Sequence, residues 1–446
     1  MMTLIQLFQF ILSISILVIL HELGHFIPAK YFKTKVEKFY LFFDPWFSLA
    51  KVKFRGTEYG IGWLPFGGYV KIAGMVDESM DTEQLKKPAE PWEFRSKPAW
   101  QRLIIMLGGV TVNFFLAWLI YSSLSYFKGE TYHDNTKFEN GIAVSEAGRK
   151  MGLQTGDKIL KIDGKSAERM ETSTVNMLFA DEVTVNRDGK EVTFPVNELG
   201  VAEVLKSNEA KAYFTPRFPV VIDSLQPGGT AKAAGLMKGD KIIGIDDKPI
   251  RFFDELGPEL SARKNTNVTL KVERNATVQE IPVMVDKEGK LGFATDLKIA
   301  QASLDEARVT KQYSFLEAIP RGLTRTIDVL TMQIKQFKIV FNTTTEGYKK
   351  VSGPIGIIKQ MPETINWEFF WSFTAMFSVW LAFLNLIPIP GLDGGHVMFT
   401  LWEMITGKPV PQKILENAQM IGVLFLLGLM VLIFGNDIVK WITGKF

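Results

Sequence analysis

The stretch LVILHELGHFIPAK, residues 17–30, puts His21, Glu22 and His25 at the end of a run otherwise fit for lipid. His21 and His25 stand at i and i+4, so on a helix both project from one face. Two imidazoles one turn apart can reach a single Zn²⁺ at ~2.0–2.1 Å each. Glu22 adjoins the first histidine and can serve as general base on a metal-activated water. Ionisable groups inside a membrane segment are costly and are usually functional.

Composition narrows the remaining chemistry. The 446 residues carry 51 basic and 48 acidic side chains, a net charge of +3, which gives no reason to expect a nucleic-acid partner. There is no cysteine, so a metal must be held by His, Asp or Glu. The chain has only four histidines, His21, His25, His133 and His396, and two of them lie in the opening stretch.

A membrane-spanning helix needs ~20 mostly apolar residues. Segments near Leu4–Ile27, Leu103–Leu124, Phe369–Pro390 and Met420–Trp441 meet that need. The first has no basic leader and no small-residue cleavage site before the histidines, so a span is expected there and not a cleaved signal. Lys30, Lys33, Lys35, Lys38, Lys51, Lys53, Arg55, Lys71, Lys86, Lys87, Arg95 and Lys97 crowd the loop between spans one and two. By the positive-inside rule that loop is cytoplasmic, and both termini and the large middle region are outside.

The middle region repeats itself. GLQTGDKILKIDGK begins at Gly152 and GLMKGDKIIGIDDK at Gly235, an offset of 83 residues (235 − 152). Each copy reads as a Gly-Asp turn, an alternating strand (Ile159 and Ile162, or Ile242 and Ile245) and a second turn. The pattern resembles PDZ domains of the protease-associated type. The second copy is the fuller match, because the Pro-Gly turn at Pro227-Gly228 has no counterpart in the first. Beyond it, Ile319, Leu323, Ile327, Leu330, Ile334 and Phe337 recur at helical steps among Arg321, Arg325, Lys335 and Lys338. This predicts an amphipathic helix, lying on the membrane surface or packed against the repeats.

A catalytic zinc needs a third protein ligand. NLIPIPGLDGGH, residues 385–396, supplies Asp393 at the end of the third span, with His396 as a rival. Pro388 and Pro390 force the chain out of the helix there, and Gly394-Gly395 are read as a tight turn beside the metal. Spans one and three both end inside, so the two halves meet at one depth. In EYGIGWLPFGGYVKIAG, residues 58–74, Gly62, Pro65, Gly67 and Gly68 are read as separating short β pieces, the last holding Tyr69, Val70 and Ile72.

HExxH in a first span with NxxPxPxxDG in a later one resembles the site-2 protease family of intramembrane zinc metalloproteases, in the four-span bacterial form with tandem PDZ domains. The resemblance covers essentially the whole chain and implies a polytopic α-helical membrane protein with four transmembrane helices. Two β-rich PDZ domains are inserted between the second and third spans. The expected layout is 1–30, first helix with HExxH; 31–98, cytoplasmic loop with a membrane-associated β-hairpin; 99–127, second helix; 128–215 and 216–300, the PDZ domains. It continues with 301–366, amphipathic linker; 367–396, third helix and its motif; and 397–446, loop and fourth helix. By resemblance His21, His25 and Asp393 bind Zn²⁺ and Glu22 is the general base. Asn385 contacts substrate, and the hairpin with Tyr69 and Val70 holds an extended substrate segment by strand addition. The resemblance also places Asn113 of span two near the catalytic helix, where Gly108-Gly109 allow close contact. Val110 stands where the family often has proline. Implied partners are the lipid bilayer and single-span substrates such as anti-sigma factors and remnant signal peptides, cut after a first extracytoplasmic cleavage at the bacterial inner membrane. A PDZ scaffold with a vestigial metal site, and a metal or ion transporter, are the competing readings.

Overall fold

The computed structural model describes residues 3–75, 88–207 and 213–442; Lys86 and Lys87 of the basic loop, and Lys445, lie outside them. The chain divides into two units. One comprises residues 1–129, 312–334 and 351–446, and the other residues 130–311 and 335–350.

The first unit holds four helices long and apolar enough to cross a membrane: α1 (Leu4–Tyr31), α2 (Ala99–Lys128), α4 (Trp367–Leu386) and α6 (Gln412–Ile442). Between α2 and α4 runs α3 (Phe315–Val340), and α5 (Asp393–Thr406) follows α4. Thr3 starts α1 as N-cap, accepting from the Gln6 amide while the Gln6 side chain reaches back. The buried face of α1 is largely polar or small: Gln6, Gln9, Ser13, His21, Gly24, His25 and Ala29 are buried with Leu17, while Leu4, Ile5, Phe8 and Ile27 are exposed. Gln6 and Gln9 donate to the carbonyls of Met361 (2.7 Å) and Pro362 (2.9 Å), and Ser13 meets Thr374 of α4 at 2.9 Å. Such inverted patterning suits a helix whose outer solvent is lipid, where interhelical polar contacts and small residues replace an apolar seam.

The α1–α2 crossing depends on glycine. A Cβ at Gly24 would lie 2.4 Å from the Gly108 carbonyl oxygen, and one at Gly109 would lie 2.4 Å from His25 Nε2. Helix α2 therefore forms the wall behind the histidines. Small residues also seat α3: Ala318, Gly322 and Thr326 are its buried row, and Trp118 of α2 donates to the Ile319 carbonyl at 2.8 Å. Of the expected apolar row, Ile319, Ile327 and Ile334 are exposed, as a helix lying on the membrane surface would leave them, while Leu330 packs on the α2–α4 cluster.

Strands β1 (Val36–Phe54) and β2 (Thr57–Ile72) form one long, bulged antiparallel pair. Residues 36–41 pair on one side with 68–72, residues 38–41 pair on the other with 58–61, and 48–54 pair with 57–62. The result is four short runs side by side, with 68–72 at one edge. The glycines and Pro65, expected to separate β pieces, lie where the run 57–62 gives way to 68–72 within β2. Gly62 is needed because Phe43 carbonyl oxygen would sit 2.1 Å from a Cβ, and Gly68 because the Val18 side chain of α1 would sit at 2.6 Å. The reversal itself is at Arg55-Gly56, both with positive φ.

Residues 387–392 carry the chain from α4 into α5. Gly391, at φ 102°, makes the turn. Gly394 and Gly395, expected to form it, belong to the first turn of α5. They are small because the Ile387 carbonyl oxygen and the Pro390 Cα would lie 2.2 and 2.7 Å from added Cβ atoms.

The second unit holds two β modules with separate cores. In the first, the sheet order is Lys165–Ser166, Lys158–Ile162, Glu182–Arg187, Lys190–Pro195, with Ile142–Val144 paired to Phe214–Pro216. In the second, the order is Thr277–Met284, Asn267–Arg274, Lys241–Ile245, Val220–Leu225, Phe293–Thr295. The repeat is preserved in atomic detail. Asp157 and Asp240, each buried, accept two bonds from Arg187 (2.8 and 2.8 Å) and Arg274 (2.7 and 2.7 Å). Each arginine also donates to the carbonyl of the repeat's first glycine, Gly152 or Gly235, at 3.0 Å. Residues 335–350 pack on the first module, where Ile339 lies against the core and Asn342 donates to Glu198 at 3.1 Å.

Candidate metal centre and catalytic site

All seven residues singled out from the sequence line one cavity of about 580 Å³ in the first unit: His21, Glu22, His25, Tyr69, Val70, Asn385 and Asp393. Its walls come from α1, the 68–72 edge, the α4–α5 connection and α6, so residues more than 370 positions apart meet there (393 − 21 = 372).

His21, His25 and Asp393 turn three donor atoms towards one point. Nε2 of His21 and Nε2 of His25 are 3.3 Å apart. Asp393 Oδ2 lies 3.3 Å from the first and 3.2 Å from the second. Ligands ~2.0–2.1 Å from a tetrahedral centre are separated by about 3.3–3.4 Å, so the three atoms already have the spacing that zinc imposes. Asp393 Oδ2 is buried and has no hydrogen-bond partner. A buried carboxylate oxygen without a donor is costly, and a cation is the natural answer to it. The residues fit zinc by spacing, by donor type and by this orphaned oxygen.

The far side of each ring is held. His25 Nδ1 meets the Ile105 carbonyl oxygen at 2.8 Å, and His21 Nδ1 faces the Asn113 side chain at 3.1 Å. Such partners orient metal-binding imidazoles. Asn113 is fully buried, and its own carbonyl accepts from Ser378 of α4 at 2.7 Å. Nothing in the sequence marks Ile105, because its contribution is a backbone oxygen. The polar Asn113, one turn beyond Gly109 in an apolar helix, is a visible signal.

Glu22 lies on the cavity side of α1 with the Val70 backbone amide against its carboxylate. Asn385, at the end of α4, reaches His21 Nε2 through Nδ2 at 3.2 Å. The Tyr69 phenol is committed within the hairpin. It donates to Asp44 at 2.8 Å and stacks on Tyr40 and Phe43. Burial first, and then Asp44, raises its pKa and keeps it protonated. Tyr69 thus offers the cavity a ring face and backbone, while its hydroxyl serves the hairpin. His396 also lines the cavity, but it is Asp393 that faces the two histidines.

Comparison with known proteins follows the same line. The model of Peptidase family M50 matches residues 9–429. Among curated relatives, the Regulator of sigma E protease of Haemophilus influenzae is 28% identical, over 97% of this chain and 98% of its own. The Regulator of sigma-E protease RseP of Escherichia coli is 28% identical, over 96% and 97%. The chain belongs to peptidase family M50, the zinc-dependent site-2 proteases that its two motifs resemble.

Proposed function

We propose that this metalloprotease hydrolyses peptide bonds within or beside the transmembrane segment of single-span membrane proteins, after an earlier extracytoplasmic cut has shortened them. His21, His25 and Asp393 hold the zinc. The observation that carries the reading is their tetrahedral spacing around an orphaned carboxylate oxygen, beside Glu22 and a strand edge. Bound there, zinc would polarise a scissile carbonyl and lower the pKa of a water. Glu22 takes the proton from the attacking water and gives it to the leaving amine. Its neighbour, the Val70 amide, keeps the carboxylate aimed into the cavity.

A helical substrate hides its peptide bonds in its own hydrogen bonds and must be drawn out to be cut. Among the described residues no strand pairs with the outer edge of 68–72. An extended substrate segment adding there would run beside Glu22, with Asn385 orienting its carbonyl. The two β modules act as tandem PDZ domains that restrict access. The basic loop between α1 and α2 supports a site near the cytoplasmic face and modules in the periplasm. The similarity to regulators of sigma-E protease points to anti-sigma factors as substrates.

The test is to incubate detergent-purified protein with single-span substrates, intact or truncated at the extracytoplasmic end, and to weigh the products. Cleavage inside the span of truncated substrates alone is expected. Equal cleavage of intact substrates would remove the ordered pathway. Binding without cleavage would favour a scaffold.

A further inference from the structure

The neutral imidazole of His21 has one N–H and one lone pair, yet two side-chain amide nitrogens face it. Asn385 Nδ2 is 3.2 Å from Nε2, and Asn113 Nδ2 is 3.1 Å from Nδ1. An NH₂ group only donates, so both cannot be satisfied at once. Nε2 is the nitrogen that shares its point with His25 and Asp393, so the lone pair belongs there and the proton on Nδ1. A buried N–H needs an acceptor. His25 has one in the Ile105 carbonyl. The group available to His21 is Asn113, whose Oδ1 is buried without a partner.

We infer that Asn113 is the positioning residue of His21: its side-chain oxygen accepts the Nδ1–H and so keeps Nε2 unprotonated and aimed at the metal. A half-turn of the Asn113 amide brings Oδ1 to Nδ1. It puts the NH₂ where the orphaned oxygen was, so no further atom is left unpartnered. The half-turn leaves the backbone undisturbed. Gly108 is in close contact with Gly24, and the Asn113 carbonyl is tied to Ser378. The inference rests on the reading that His21 is a zinc ligand.

The test measures zinc affinity of the full chain in detergent by chelator competition, with thermal unfolding as the check on folding. Asn113→Leu, close in size and without an acceptor, should weaken zinc binding roughly 10–100-fold, the usual cost of losing such a partner. Asn113→Ala should do the same. Asn113→Asp restores an oxygen at Nδ1 and should bind zinc at least as tightly as the parent. Wild-type affinity in a folded Leu or Ala variant would overturn the inference, as would an equal loss in folded Asn113→Asp. His21→Ala separates the two claims. If it leaves zinc affinity unchanged, the metal-site reading fails, and this inference with it.

Discussion

In the inserted unit Asp240 is buried and fully answered: Arg274 gives it two bonds and the Met237 amide a third at 2.8 Å. Asp157 is answered in the same way by Arg187 and the Gln154 amide. At the membrane site Asp393 Oδ2 is buried without a hydrogen-bond partner and faces only the Nε2 atoms of His21 and His25, at 3.3 and 3.2 Å. Nor does lipid surroundings explain the difference. Asp437 of α6, also fully buried, accepts from the amides of Gly353, Ile355 and Gly356 at 2.9–3.2 Å. Among the described residues, one buried carboxylate oxygen is left without a hydrogen-bond partner, where two imidazoles converge. The unmet valence marks the place where a ligand from outside belongs.

The largest effect expected of a single change lies at the bare site. Glu22→Gln should lower the hydrolysis rate by ~10²–10⁴ while leaving zinc content unchanged. Metal analysis alongside a cleavage assay checks both halves, and loss of zinc in this variant would make Glu22 a ligand. The matched site should respond in stability and not in chemistry. Arg274→Met strands Asp240 and should destabilise the second module by about 3 kcal/mol, read as faster proteolysis within residues 216–300 with zinc affinity retained. Gly109→Val presses on the His25 ring and should cost about 1–3 kcal/mol of overpacking. Here the readout is weaker zinc binding with both β modules still protease-resistant. Unchanged binding would mean that the α1–α2 crossing is looser than its geometry.

The smallest effect is a dependence on pH. Burial would raise the Asp240 carboxyl, but Arg274 and the Met237 amide hold it below the ordinary value. A depressed folded pKa contributes stability that is present above the unfolded value of ~3.9 and is lost as pH falls through the folded one. Acid should therefore loosen the second module of the parent chain. In Arg274→Met this contribution should be absent, flattening the acid limb of a proteolysis–pH profile.

The bare site was the more legible of the two. HExxH announces the site because helical spacing alone puts His21 and His25 on one face, with Glu22 adjoining the first. Asp393 is chosen over its rival His396 by the resemblance of NxxPxPxxDG to the family's motif, the two prolines marking only where the membrane helix must break. The glycines were harder. Gly394 and Gly395 read as a turn, yet they are small to admit Ile387 and Pro390, while Gly391 turns. Gly62 and Gly68 do bound the two paired runs of β2, but their further purpose, to let neighbouring backbone and Val18 approach, is not legible. Local sequence records that a Cβ is absent, but the reason lies in a contact from elsewhere. The same holds for Arg187 and Arg274, distant in sequence from the aspartates they answer. The row Ile319, Ile327 and Ile334 is exposed, as expected of a helix lying on the membrane surface, while Ala318, Gly322 and Thr326 turn in. Where helices pack beside lipid the small face is the one that turns in.

The most direct test of the account is the zinc content and affinity of the purified full-length chain, compared with Asp393→Asn and Arg274→Met. The account requires bound zinc in the parent and in Arg274→Met, and its loss in Asp393→Asn with the fold retained. Undiminished zinc in Asp393→Asn would contradict it, because the bare carboxylate would then have some purpose other than holding the metal.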